Sequence, residues 1–267
     1  MHFLNIKSNC YSIKRALTPF FLVLALTISI PAAAQDLRIA IEEAYPPFSQ
    51  INPDGSLSGF DVDITHALCS AMGYDCILIQ KDWDGIIPAL LAKKYDAIIA
   101  SMAITEERKE KVAFTNRYYQ MIVKFIRPKG SDLVLSPQGL KGKRIGVQIG
   151  TVFDDYATDN FNQAEIVRYA NHEEVFLDLQ TGRIDTTLTA RPVAELGFLN
   201  TPAGKDFELF GPDIINTRWF GEGIGIALRK KDTKLLEEFN DAIATIRQNG
   251  EYQRINDKYF SYDIYGD

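Results

Sequence analysis

The segment Asp96-Ala97-Ile98-Ile99-Ala100-Ser101-Met102-Ala103-Ile104-Thr105-Glu106-Glu107-Arg108 brings together residue types that could do chemistry. The apolar run Ala97 to Ile99 reads as a buried strand. Small residues follow it (Ala100, Ser101 and Ala103), and they let a ligand approach the backbone. Thr105 is an N-cap residue type, with Glu106 and Glu107 in the first turn of a polar helix. Strand, small-residue turn and helix N-terminus together aim backbone N–H groups at an anion. Arg108 adds a planar fork that matches a carboxylate. The plainer reading is a loop whose arginine lies on a solvated helix face.

The elements around this segment alternate. Leu37 to Ile41 reads as a strand, and Pro46-Pro47 forces a loop after it. Helical spacing runs from Asp61 to Met72, with Asp61 as an N-cap; Ile77 to Gln80 is a strand and Ile86 to Lys94 a helix. The pattern then recurs. Lys143-Arg144-Ile145-Gly146-Val147 resembles Leu37-Arg38-Ile39-Ala40-Ile41, and Leu179-(x)3-Arg183-Ile184-Asp185 resembles Leu90-(x)3-Lys94-Tyr95-Asp96. The second series continues with a strand at Val167 to Ala170, a helix from Glu173 to Thr181 and a strand from Arg183 to Leu188. Alternating strands and helices imply parallel sheet, and two such units in series imply two lobes facing a cleft. Tyr118 to Arg127 and the glycines Gly221, Gly223 and Gly225 are candidate crossings between the lobes. Two amphipathic helices, Asp232 to Asn249 and Glu251 to Tyr259, end the chain.

Composition narrows the function. The chain has 267 residues and a formal net charge of −6. Residues 1–34 read as a secretory signal peptide: a basic start, an apolar run from Ala16 to Ile30, and Ala32-Ala33-Ala34 as the cleavage site. That segment carries three basic residues and no acidic ones, so residues 35–267 are more acidic still. Such a balance argues against nucleic acid and anionic membrane as partners. Beyond Cys10, the cysteines are Cys69 and Cys76, and an even pair in an exported chain reads as a disulfide. His66 and His172 have no second ligand at metal spacing, so neither metal nor cofactor is expected.

These residues resemble a known family, the periplasmic solute-binding proteins of polar amino acid ABC importers, in particular the histidine-binding and lysine/arginine/ornithine-binding group. The resemblance rests on Tyr45-(x)2-Phe48, Gly59-Phe60-Asp61-Val62-Asp63, Asp84-Gly85-Ile86-Ile87-Pro88-Ala89-Leu90, Ile104-Thr105-(x)2-Arg108, Gly182-Arg183-Ile184-Asp185 and Gly225-Ile226-Ala227-Leu228. It implies an α/β, two-lobe periplasmic binding protein fold (type II) with a hinge of two crossings. Residues 35–121 and 217–267 would form one lobe and 122–216 the other. It implies a monomer that closes on a small ligand and presents it to a membrane permease. Arg108 would clamp a ligand carboxylate, helped by Ser101, the Ala103 N–H and Thr151. Tyr45 and Trp83 would sandwich the ligand side chain, and Glu42 would meet its basic end. Ala100, Gln148 and Thr189 complete the implied ligand set.

One departure stands out. Where the family places an acid that pairs with a ligand ammonium, this chain has Ala190, followed by Arg191. Relatives that bind octopine and nopaline also lack that acid, so the expected ligand is a basic amino acid or such a derivative, with Arg191 facing a second carboxylate. Cyclohexadienyl dehydratases share the fold and the same lack, which leaves an enzyme as the alternative.

Overall fold

The computed structural model describes Met1, His2 and residues 35–266. The signal-peptide reading therefore lies almost wholly outside the described residues. Residues 35–266 form one compact unit.

The elements follow in the order β1 (Gln35–Glu42), a small hairpin β2 (Gln50–Ile51) and β3 (Leu57–Ser58), α1 (Phe60–Met72), β4 (Tyr74–Lys81), α2 (Ile86–Leu91), β5 (Ala97–Ile98), α3 (Glu106–Lys111) and β6 (Ala113–Phe114). Then come β7 (Val123–Pro128), β8 (Arg144–Gln148), α4 (Val152–Asn160), β9 (Glu165–Tyr169), α5 (His172–Gln180), β10 (Thr186–Ala190) and β11 (Phe207–Ile214). The chain closes with α6 (Thr217–Phe220), β12 (Ala227–Leu228), α7 (Thr233–Gln248) and α8 (Glu251–Tyr259).

Two five-stranded sheets result, ordered β4-β1-β5-β12-β6 and β11-β7-β10-β8-β9. Each has a parallel half: β1 pairs with β4 and β5, and β8 pairs with β9 and β10. Strands that come from beyond the local βα units join antiparallel: β12 on β5, and β7 on β10. The chain leaves the first sheet after Tyr119, which bridges Ile224, and enters the second at Val123. It leaves the second after Ile214 and returns at Ile224. Both crossings lie in the stretches that the β-prone run and the glycines marked out.

The repeated sequence has a physical counterpart. In the first sheet the Arg38 backbone N–H and Nε donate to the Asp96 carboxylate at 3.2 and 3.1 Å. In the second, the Arg144 backbone N–H and Nε donate to Asp185 at 2.7 and 3.3 Å. Each clamp ties a strand to the turn before its parallel neighbour. Each arginine also reaches a turn carbonyl, Lys93 or Gly182. The core follows the alternation of β1: Ile39 and Ile41 pack with Phe60, Ile64 and Leu68 of α1, and Ala40 packs on the other face with Ile98, Ile86 and Leu90. The Cys69–Cys76 disulfide joins the last turn of α1 to β4.

Three local expectations need correction. Asp61 is not the N-cap of α1; Gly59 is. A Cβ at Gly59 would stand 2.2 Å from the Phe48 carbonyl oxygen, so only glycine allows that approach. The helix at Ile86 stops at Leu91 rather than Lys94, because Lys93 takes a left-handed φ of 62°. The strand expected at Arg183 to Leu188 runs from Thr186 to Ala190, since Asp185 is held in the turn by Arg144.

Candidate ligand-binding site

The C-terminal ends of the parallel strands and the helices after them converge on one cavity. Open α/β sheets place ligands at this position. Glu42 ends β1, Trp83 follows β4, and Ala100, Ser101 and Ala103 follow β5. From the other sheet, Gln148 ends β8 and Thr151 caps α4. All seven line the cavity, as do Tyr45 and Arg108. The structure adds Met121, Val152 and Phe153 to the lining.

Arg108 is the third residue of α3. Thr105 caps that helix by accepting from the Arg108 backbone N–H. The neighbouring charged residues of α3 point outward, but Arg108 is only 9% exposed. Its Nη1 donates to the Ala103 carbonyl at 3.1 Å and its Nη2 to the Gly150 carbonyl at 3.5 Å. Its guanidinium also lies 5.2 Å from the Trp83 ring centroid. Among the described residues no carboxylate forms a salt bridge with it, although Asp155 and Glu107 act on it from farther off. Burial dominates and lowers its pKa to about 10. This is a desolvated cation facing a cavity, with no salt-bridged carboxylate among the described residues.

Glu42 is its counterpart of opposite sign. It is 5% exposed, and its Oε1 accepts from Gln148 Nε2 at 2.7 Å. Burial pushes its pKa up to about 8; Asp61 and Asp82 add to the shift, and the Gln148 hydrogen bond opposes it. The cavity thus holds a buried guanidinium and a buried carboxyl that are not paired with each other.

The remaining polar groups support this pair. Gln148 Nε2 also donates to the Ala170 carbonyl at 3.1 Å, which fixes the orientation of the amide. Gln148 Oε1 therefore accepts from His172 Nδ1, 2.8 Å away, and Thr189 donates to the other ring nitrogen at 2.9 Å. Burial lowers the His172 pKa to about 3, so the ring stays neutral. The Tyr45 ring meets the edge of His172, with centroids 4.9 Å apart, and its phenol lies close to Thr189 and Ala190. The phenol thus stands near Ala190, where the resemblance expects an acid. Ser101, at a left-handed φ of 50°, donates its hydroxyl to Asp61 at 2.8 Å. Asp61 also accepts from Tyr118 at 2.9 Å, and burial raises its pKa to about 7. The Ser101 proton is thus held by Asp61, and the help expected from this hydroxyl at a ligand carboxylate does not come from it here. Trp83 Nε1 donates to the Gly150 carbonyl at 3.0 Å, which links the two sheets across the cleft.

Two expected residues do not line the cavity. Thr189 stands behind it and contacts it only through His172 and Tyr45. Arg191 pairs with Glu195 at 2.8 Å and Asp213 at 3.6 Å on the second lobe's surface, so it faces no ligand carboxylate here. His172 was overlooked as a site residue. The available signal was its position just after β9, which is a strand C-terminal end like those of Glu42 and Gln148.

The chain matches the bacterial extracellular solute-binding proteins, family 3, over residues 37–262. It belongs to that family. The L-arginine-binding protein of Pseudomonas aeruginosa is 47% identical to this family-3 protein over 91% of this chain and 96% of that one. The lysine/arginine/ornithine-binding periplasmic protein of Escherichia coli is 37% identical, covering 92% and 98%. Among solved structures, an ancestral arginine-binding protein bound to glutamine superposes with a TM-score of 0.78 at 33% identity, covering 86% of this chain and all of that one. These relatives are binding proteins, so this family-3 chain is a solute-binding protein and not an enzyme.

Proposed function

We propose that this protein is the exported binding component of an amino acid ABC importer, working as a monomer in the periplasm after loss of its signal peptide. Residues 35–121 and 217–267 form one lobe and 122–216 the other, and they close on a carboxylate ligand with a basic group: a basic amino acid or a derivative such as an opine. The closed form then delivers the ligand to the permease. The observation that carries this reading is Arg108, a buried guanidinium at the cavity without a salt-bridge partner among the described residues. A ligand carboxylate supplies the missing anion with a fork-to-fork geometry. Glu42, at the same cavity, supplies the acid for the basic end, and Tyr45 and Trp83 offer ring faces for the stem.

Thermal-shift screening of the mature protein tests this. Arginine, lysine, ornithine, histidine, octopine and nopaline form the panel, with acidic and aromatic amino acids as controls. A true ligand at a hundred times its Kd adds about 2.7 kcal/mol to stability. Cationic carboxylates are expected to raise Tm; stabilisation by the acidic or aromatic controls alone would refute the roles given to Glu42 and Arg108.

A further inference from the structure

The lining of the cavity carries one cation, Arg108, and one carboxyl, Glu42. The protons of Gln148, Thr151, Ser101 and Trp83 are already placed. Both amide hydrogens of Gln148 go to Glu42 and the Ala170 carbonyl. Thr151 donates to the Gln148 carbonyl at 2.8 Å and accepts from the Asp154 N–H. Ser101 donates to Asp61, and Trp83 donates to the Gly150 carbonyl. The rest of the lining is the phenol of Tyr45, kept neutral by burial, with alanine, methionine, valine and phenylalanine. A second carboxyl, Asp61, stands behind Ser101 with its two oxygens engaged by Ser101 and Tyr118, and it does not line the cavity.

Such a lining neutralises two ligand charges and no third. An amine on the carbon next to a carboxylate held by Arg108 would meet neutral acceptors only, a few ångströms from a desolvated guanidinium of like charge. Removing that ammonium from water without a counter-charge is unfavourable, and the low dielectric of the closed cavity strengthens the repulsion.

Taking the carboxylate-and-cation reading above as its basis, we propose that the ligand class extends to ω-guanidino and ω-amino carboxylates with no α-amine. The site reads the two ends of the ligand and gives the α-amine no charged partner.

Calorimetric titration of the wild-type protein with three probes tests this: L-arginine, 5-guanidinopentanoate, which lacks only the α-amine, and agmatine, which lacks only the carboxylate. In a site that pairs the amine with an acid, losing the amine weakens binding about ten- to a hundredfold. Here 5-guanidinopentanoate is expected to bind as tightly as L-arginine or more tightly, and agmatine at least a hundredfold more weakly. If L-arginine binds more than tenfold tighter than 5-guanidinopentanoate, the inference is overturned while the proposed function stands. If neither binds and the acidic or aromatic controls do, the proposed function falls, and this inference with it.

Discussion

Replacing Arg108 by methionine separates the ligand role of this residue from any structural one. The side chain keeps a similar length and loses its charge and fork. A ligand carboxylate held by two charge-assisted hydrogen bonds would lose about 1.5–3 kcal/mol for each. Part of that is recovered by solvation of the free ligand, so the net loss is about 3–5 kcal/mol, or roughly a hundred- to several-thousandfold in Kd. The effect on the unliganded protein points the other way. Arg108 is desolvated, forms no salt bridge among the described residues, and donates only to the Ala103 and Gly150 carbonyls. Removing a buried, uncompensated charge for an apolar group of similar volume is neutral or stabilising. The expected signature is therefore a ligand-free Tm equal to or above the wild-type value, together with near-complete loss of binding. Arg108→Lys keeps the charge without the fork and should fall between the two. Calorimetry with the tightest ligand of the thermal-shift panel, and scanning calorimetry without ligand, provide the readouts. If R108M binds within threefold of wild type, the carboxylate clamp is refuted. If its ligand-free Tm drops by many degrees, Arg108 is a structural residue and the argument from its unpaired charge fails.

Glu42, with its pKa raised to about 8, retains in the ligand-free closed protein a proton that the unfolded chain releases near pH 4.5. Its contribution to stability is present below that pH and is lost as pH rises toward 8; unfolding free energies of Glu42→Gln should lack this decline. Binding a cationic ligand at pH 7 should release up to one proton in wild type and none in E42Q, measured as the dependence of calorimetric heat on the buffer's ionisation enthalpy. For His172 the sign is reversed: its pKa lowered to about 3 means that the unfolded chain takes up a proton below pH 6.5 that the folded chain refuses. Stability should fall with pH between 6.5 and 4 by up to about 1.4 kcal/mol per unit, and His172→Gln should flatten that slope by close to one proton in urea titrations. Replacing both Cys69 and Cys76 by alanine should cost about 2–3 kcal/mol in urea unfolding. Ligand affinity should not change, because the bridge joins α1 to β4 and does not line the cavity.

Parts of this protein that are local in sequence could be read from it. Thr105 and Thr151 are N-caps because a hydroxyl before a helix satisfies an N–H a few residues on, and nothing distant changes that. The Arg38–Asp96 and Arg144–Asp185 clamps announced themselves as a repeated spelling, since each joins residues at the same point of a βα unit. Glu42, Trp83, Ser101 and Gln148 share the cavity because each sits at or just beyond a strand's C-terminal end, and strand ends were visible as limits of apolar runs. Interactions made across the fold were hidden. Nothing near Asp61 states that its carboxyl is buried against Ser101 and Tyr118, forty and fifty-seven residues away in sequence. Nothing near Arg191 states that Glu195 and Asp213 will occupy it. The chain Glu42–Gln148–His172–Thr189 runs through both sheets, and only their approach brings it together.

That approach also bears on the proposed closure on ligand. Glu42 and Gln148 belong to different sheets, as do Trp83 and Gly150, so their hydrogen bonds form only when the lobes meet. The same movement desolvates Arg108 and Glu42 without pairing either one. Two neutral or singly charged hydrogen bonds contribute about 1 kcal/mol each. Burying an unpaired guanidinium and an unpaired carboxyl costs several kcal/mol, even after Glu42 takes a proton. These costs work against the closed form without ligand, and they vanish when both groups are paired. A ligand with a carboxylate at one end and a cation at the other satisfies both buried groups at once, and most of its binding energy exists only in the closed form. A ligand shifts a two-state equilibrium by its difference in affinity for the two states. Here that difference is concentrated in two charge pairs, so a ligand lacking either charged end should bind weakly and should also fail to close the lobes. Small-angle scattering of the protein with agmatine at saturating concentration should then retain the dimensions of the ligand-free protein, while the doubly charged ligand contracts them; contraction by agmatine would show that Glu42 alone suffices and that Arg108 is not needed for closure.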